Sequence, residues 1–260
     1  MRLPTAAKAA TNTSVSRSVP KRVAIVGVGG LGCPASLSLA WQGVEHLTLV
    51  DPDLVERTNL HRQPWHHPDD VGRPKVESAA AKLSGQFPEL SLATRRERVT
   101  ASNAEALFRE HDVVLDATDG VGTKFLLSDA AVLTGTPAVY AGVLRFEGLA
   151  MRLERGGPCL RCLFETPPTD VPTCAEAGVL GAMAGLIGGL QASLAVGPNP
   201  SPGLALLHVI DGLDLSFRTV KVRRRSDCPA CGHGANPVLS DADDPSCPTP
   251  SSTSPARSAP

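Results

Sequence analysis

The sequence predicts an α/β fold: a doubly wound, mostly parallel sheet continued by an antiparallel C-terminal extension. Three observations lead there. Short apolar runs alternate with helical segments from residue 23 to residue 141, as expected of parallel strands joined by crossover helices. The first run ends in Gly27-Val28-Gly29-Gly30-Leu31-Gly32, a glycine turn at a strand-to-helix junction. After residue 141 the alternation gives way to strand-like runs, one glycine-rich helix and two C-x-x-C pairs.

Taken in order, residues 23–26 read as a strand, 33–41 as an Ala/Leu-rich helix, and 46–50 as a second strand that stops at Asp51. Residues 53–71 form a long polar loop, of a length that compact domains usually keep for function. A helix over 74–84 opens with Pro74 in its first turn, and a strand follows over 90–94. Ser102-x-x-Glu105 has the form of a capping box that opens the next helix. A buried strand over 112–115 runs into Asp116-Ala117-Thr118-Asp119-Gly120, followed by a helix over 121–133 and a strand over 138–141. The runs 144–153, 204–210 and 217–222 are expected to be antiparallel strands.

Composition bounds what the chain can do. With 260 residues and 42% apolar content it has ample material for one core. A formal net charge of -1 gives no electrostatic case for nucleic acid, and 3% aromatics leave few platforms for stacking bases. Residues 1–20 are expected to be a disordered extension, 21–235 the folded domain, and 236–260 a disordered tail rich in Pro, Ser and Asp. Residues 1–22 are basic and free of acids, a composition shared with transit peptides; the plainer reading is an unstructured arm in a cytoplasmic protein. The uncharged stretch 178–196 has glycines at 181, 185 and 189, a spacing seen at membrane helix interfaces. Gln191 and the terminating Gly197-Pro198 favour a buried helix and no membrane span.

The glycines at 27, 29 and 32 allow a tight turn and close approach of phosphate to a helix N-terminus, a Rossmann-like loop. Asp51, at the end of the second strand, is placed to hold ribose hydroxyls. This pattern alone fits NAD, FAD or ATP. The residues that follow narrow the choice. Arg62, Lys75 and Asp119 all fall where strand C-termini and helix starts face one crevice. An oxidoreductase has little use for them beside the phosphates, whereas cleavage between α- and β-phosphates requires cations for the developing charge and a carboxylate for Mg²⁺. The pairs Cys159/Cys162 and Cys228/Cys231 can supply four thiolates to a structural Zn²⁺, a zinc knuckle. Cys33 reads as helix packing and Cys247 as tail, and His61, His66 and His67 show no metal-ligand spacing.

In order along residues 21–234 the chain carries Gly27-x-Gly-Gly-Leu-Gly, Asp51-x-Asp53, Asn59-Leu60-x-Arg62-Gln63, Asp70-Val71-Gly72-x-x-Lys75, Thr118-Asp119, Cys159-x-Arg161-Cys162, Cys174-Ala175-Glu176-Ala177-Gly178 and Cys228-Pro229-x-Cys231. This series resembles the ThiF/MoeB/HesA family of adenylating enzymes, relatives of the ubiquitin-activating enzyme. The resemblance implies that Gly27, Gly29, Gly30, Gly32, Asp51, Asp53 and Gly120 form the ATP site, that Asn59, Arg62, Gln63 and Lys75 contact its phosphates, and that Asp119 holds Mg²⁺. It implies as substrate a ubiquitin-like sulfur-carrier protein ending in Gly-Gly, a separate protein as sulfur donor, and a homodimer. It also implies that Cys174 is a candidate for covalent attachment of the carrier, a role that its counterparts fill in some relatives and not in others. The chain departs from the family pattern at Gly120, where Asn is usual, at Lys124, where Arg is usual, and in lacking an N-terminal Arg-Tyr-x-Arg-Gln segment. These departures keep a non-catalytic carrier-binding member in view as the alternative.

Overall fold

The computed structural model describes residues 19–164, 167–168, 177–197 and 203–241. Strands β1 (Arg22–Val26), β2 (His46–Val50), β3 (Ser91–Arg95), β4 (Val113–Asp116), β5 (Ala138–Leu144), β6 (Glu147–Leu153), β7 (Leu204–Asp211) and β8 (Ser216–Arg223) form one sheet in the order β3-β2-β1-β4-β5-β6-β7-β8. Pairings from β3 through β5 are parallel and those from β5 to β8 antiparallel. The helices are α1 (Gly32–Gln42), α2 (Lys75–Gln86), α3 (Ala104–Arg109), α4 (Val121–Thr134), α5 (Leu160–Leu163) and α6 (Gly181–Ala195).

β1 shows why the sheet is covered on both faces. Its inner residues alternate between two cores: Val23 and Ile25 join the one with α1, α2 and α6, while Ala24 and Val26 join the one with α3 and α4. A strand apolar on both sides must lie between two layers of helix. The strand order reverses between β1 and β4, which opens a crevice at their C-terminal ends.

Several expectations shift in detail. The run 144–153 is not one strand: Leu144 closes β5, and Arg145 and Phe146 make the turn into β6. Pro74 caps α2 from outside, and Lys75 takes the first helical position. The capping box at Ser102 does not form. Asn103 is the residue before α3, and its Oδ1 accepts the N–H of Thr100 at 2.8 Å, while Ser102 shares a hydroxyl contact with Thr100. Local side-chain hydrogen bonds of this kind compete directly with helix caps.

The glycine-rich helix α6 packs on α1, and among the described residues no helix is long and apolar enough to cross a membrane. Its glycines do not act as one stripe. A Cβ on Gly188 would lie 2.5 Å from the Leu31 carbonyl oxygen and 2.6 Å from Pro34 Cγ, whereas Gly185 faces open space. Gln191, fully buried, donates through Nε2 to the carbonyls of Asp116 (2.7 Å) and Val139 (2.8 Å), tying α6 to the ends of β4 and β5. Gly188→Ala is therefore expected to destabilise the protein by about 1–3 kcal/mol through overpacking. Gly185→Ala should stabilise it by roughly 0.5–1 kcal/mol through helix propensity. Denaturant midpoints of the two variants check both signs.

Candidate active site and cysteine cluster

The glycine turn is forced by contact distances. Gly27 has φ +95°, and a Cβ there would sit 2.6 Å from the Ala117 carbonyl oxygen; one on Gly32 would sit 1.9 Å from the Gly27 oxygen. With both side chains absent, the chain leaves β1 and enters α1 at once. The N–H groups of Gly29 and Gly30 have no hydrogen-bond partner among the described residues. They are free donors at the positive end of an 11-residue helix.

Asp51 accepts the N–H of Val28 at 2.7 Å and that of Asp53 at 2.9 Å, so it fixes the glycine turn as well as facing the crevice. Burial raises its carboxyl pKa above the ordinary value, against the opposing charge of Lys75. Lys75 is buried and bonds Asp53 at 2.8 Å. Burial disfavours its ammonium, but Asp51, Asp53 and Asp119 outweigh that and hold its pKa above the usual lysine value. It is therefore a fixed cation.

The polar loop folds into a short 3-10 helix, Arg57–Arg62, from which Arg62 bonds Asn59 Oδ1 at 2.5 Å. The start of α6 seats this helix: a Cβ on Gly181 would meet the His61 carbonyl oxygen at 2.5 Å. Trp65 anchors the loop to α1 through Ser36 at 2.8 Å. Gln63 is buried beside the glycine turn, and its Oε1 has no partner among the described residues. Behind it, His66 bonds the Val28 carbonyl at 3.2 Å and Ser78 at 3.0 Å, bracing the glycine turn against α2.

Asp119 stands exposed three residues past the end of β4, with no ion-pair partner among the described residues. Its turn is held by Asp116, which accepts the N–H (3.1 Å) and hydroxyl (2.7 Å) of Thr118 and pairs with Lys124 at 3.3 Å.

The structure brings Gly27, Gly29, Gly30, Asp51, Asp53, Asn59, Arg62, Gln63, Lys75, Asp119 and Gly120 to one cavity of about 970 Å³. Gly32 lies beneath it, with a steric role only. Cys174 falls outside the described residues. The same cavity continues over the cavity-facing side of β5 and β6 through Tyr140, Gly142, Leu149 and Glu147. Nothing in the sequence marks these four, which are ordinary strand residues until the hairpin places them in line.

The four knuckle cysteines lie together, with all Sγ atoms within 4.8 Å of one another; Cys159–Cys228 is 3.6 Å and Cys162–Cys231 is 3.3 Å. Thiolates around a tetrahedral Zn²⁺ at about 2.3 Å stand about 3.8 Å apart, so the donor set and spacing fit that ion. Without a cation four thiolates cannot coexist. Hydrogen bonds from the other thiols, Cys159 first, favour the anion at Cys231, and the same shared proton together with burial drives Cys159 upward. The cluster is built into α4: Leu160 N–H bonds Ser128 Oγ at 3.0 Å, and Arg161 pairs with buried Asp129 at 2.8 Å while lying over the Phe125 ring.

The ThiF family model matches residues 8–230, and the chain belongs to this family. It is 45% identical over 232 residues to the SAMP-activating enzyme E1 of Haloferax volcanii, covering 87% of this chain and 86% of that protein. It is 43% identical over 238 residues to the adenylyltransferase and sulfurtransferase uba4 of Aspergillus fumigatus, covering 84% of this chain and 48% of the fungal protein. It thus spans about half the length of that relative, and likewise 51% of the MOCS3 adenylyltransferase and sulfurtransferase of Culex quinquefasciatus, at 43% identity over 84% of this chain. Among solved structures, E. coli MccB with ATP superimposes with a TM-score of 0.69 at 20% identity, covering 81% of this chain and 67% of MccB. That likeness establishes the shared fold.

Two outcomes follow. Metal analysis of purified protein should find about one Zn²⁺ per chain, and Cys231→Ser should lower thermal stability and soluble yield, because metal affinity at such a site is folding free energy. Full stability in a metal-free preparation would rule the knuckle out. His66 and His111 are both held below the ordinary histidine pKa, chiefly by burial. The unfolded chain then binds protons that the folded one does not, so stability is complete above about pH 6.5 and falls as pH drops below it. Thermal melts across that range should show the slope, and His66→Gln should flatten it.

Proposed function

We propose that this chain is an ATP-dependent adenylyltransferase that activates the C-terminal glycine carboxylate of a ubiquitin-like sulfur carrier ending in Gly-Gly. The observation that carries the reading is the single cavity in which free helix-end N–H donors, Arg62, Lys75 and Asp119 converge and which runs on across an apolar sheet face. The first part suits a nucleoside triphosphate and the second an extended peptide tail. Family membership and 45% identity to a SAMP-activating enzyme support it.

In this reading Asp51 takes the ribose, and Gly29 and Gly30 donate to phosphate. Asn59, Arg62, Gln63 and Lys75 surround the α- and β-phosphates, and Asp119 holds Mg²⁺, which neutralises the phosphate charge. The tail carboxylate attacks the α-phosphorus. An oxygen–phosphorus bond forms, the bond from the α-phosphorus to the bridging oxygen breaks, and pyrophosphate leaves with that electron pair. A carboxylate is already ionised near neutral pH, so no general base is needed. The residues accelerate the step by placement and by cations fixed where charge grows. Lys75 suits this role because Asp51 and Asp53 keep it charged in spite of burial. A sulfur nucleophile then attacks the glycine carbonyl carbon, a carbon–sulfur bond forms and AMP leaves with the electrons of the broken carbon–oxygen bond. The Cys174 thiolate is the candidate for a first such attack, giving a thioester, and a separate protein delivers the sulfur that ends on the carrier. Four clustered free thiols suit a reducing, cytoplasmic setting and a structural Zn²⁺, and a homodimer is the expected assembly.

The test is exchange of labelled pyrophosphate into ATP in the presence of a ubiquitin-like protein ending in Gly-Gly. Asp119→Ala should lower exchange on the order of a thousandfold with the fold intact. Cys174→Ala should keep exchange and lose transfer of the activated glycine. Nucleotide binding without exchange in the unaltered chain would support a carrier-binding scaffold instead, and near-normal exchange by Asp119→Ala would remove Asp119 from the site.

A further inference from the structure

Tyr140 is the only tyrosine in the chain. It projects from β5 on the face that carries Leu149 of β6 and Leu160 of α5. The residue is 8% exposed, and its ring packs beneath the Lys124 ammonium, 5.3 Å from the ring centroid. Lys124 is itself fixed by Asp116 and by the Ala141 carbonyl at 2.6 Å, so the ring has one seat.

The hydroxyl is different. It forms no hydrogen bond with any described residue, although Tyr140 lines the cavity. It lies beside Gly142, two residues on and on the same strand face. A Cβ on Gly142 would lie 3.7 Å from the Tyr140 oxygen and 3.7 Å from Leu149 Cδ1. Leu149 is the cross-strand partner of Gly142. The hydroxyl therefore overlooks a strip of backbone that has no side chain, flanked by an apolar one. The hydroxyl keeps contact with the open cavity, where water or a substrate carbonyl can accept its proton. Burial first, and then the Asp116 charge, pushes the phenol pKa upward, so the group is an O–H donor and not a base.

We propose that Tyr140 binds the substrate tail directly: its hydroxyl donates a hydrogen bond to a main-chain carbonyl oxygen of the terminal Gly-Gly segment as that segment crosses Gly142. This rests on the adenylation reading and adds a residue to it. The bond is made to the tail and not to nucleotide, so its loss should appear in carrier affinity alone.

Because there is one tyrosine, tyrosine labelled with ¹³C at Cζ gives a single resonance from that ring. The labelled full-length protein, with a non-hydrolysable ATP analogue, would be titrated with a recombinant ubiquitin-like protein ending in Gly-Gly and with the same protein lacking its last two glycines. The resonance should move with the first and not with the second. Tyr140→Phe keeps the ring, and it should raise KM for the intact carrier about tenfold, the weight of one hydrogen bond of this kind, with ATP affinity unchanged. Pyrophosphate exchange by the unaltered protein, combined with an unmoved resonance and an unchanged KM in Tyr140→Phe, would overturn the assignment. Failure of exchange in the unaltered protein would instead overturn the adenylation reading, and Tyr140's role with it.

Discussion

One backbone contact governs the arrangement of the rest. Gly32 lies so close over the carbonyl of Gly27 that a Cβ would stand 1.9 Å from that oxygen. The contact lets α1 begin almost as soon as β1 ends, and so aims its first amides across the crevice. Other supports are hung on it from several directions. Asp51 receives Val28 from β2, His66 reaches the Val28 carbonyl from the loop, and α6 closes on the first turn of α1 through Gly188. Such close packing has few alternative arrangements, which is why groups from six parts of the chain keep their places around one cavity.

The charges of the site are arranged in pairs before any ligand arrives. Lys75 is held by Asp53, Lys124 by Asp116, and Arg62 rests on Asn59. Burial disfavours the Lys75 ammonium, and Asp51 and Asp53 more than restore it. Orientation is thus settled by the fold and not by the ligand, the condition under which fixed charges act most effectively on a reacting group. Asp119 differs, being exposed and without an ion pair among the described residues, as suits a carboxylate kept for a cation from solution.

Much of this was legible in the sequence, for identifiable reasons. The glycine turn, Asp51 and the two cysteine pairs carry residue types whose spacing is dictated by chemistry, and each stands where its pattern put it. The switch from parallel to antiparallel pairing showed in the loss of helical segments after residue 141. Choices between competing partners were hidden. Nothing at Ser102 reveals that Asn103 will take the Thr100 amide instead, since both residues can serve as caps. The turn at Arg145 and Phe146 has no Gly or Asn to announce it: Arg145 adopts φ 53° because Gly178 and Leu180 bond it on both sides. Tyr140 reads as a core aromatic until the hairpin sets Gly142 opposite Leu149. Gly181, Gly185 and Gly189 share a spacing, yet of these only Gly181 meets a neighbour, and the close contact with α1 belongs to Gly188.

The knuckle joins cysteines 69 residues apart in sequence, Cys159 with Cys228 and Cys162 with Cys231. All eight strands precede Cys228 in the chain. During synthesis the first cysteine pair therefore waits, unable to complete a tetrahedral site, until the whole sheet has been made. One edge of β1 can pair with β2 early, whereas its partner on the other edge, β4, lies some 90 residues downstream. Contacts so distant in sequence form slowly, because much loop entropy is lost before they return any energy. The second cysteine pair, arriving after the last strand, can clamp only a sheet that is already complete. The segment carrying the first cysteine pair is pinned to α4 through Ser128 and Asp129, and the other end of that helix follows directly on the turn where Asp119 stands.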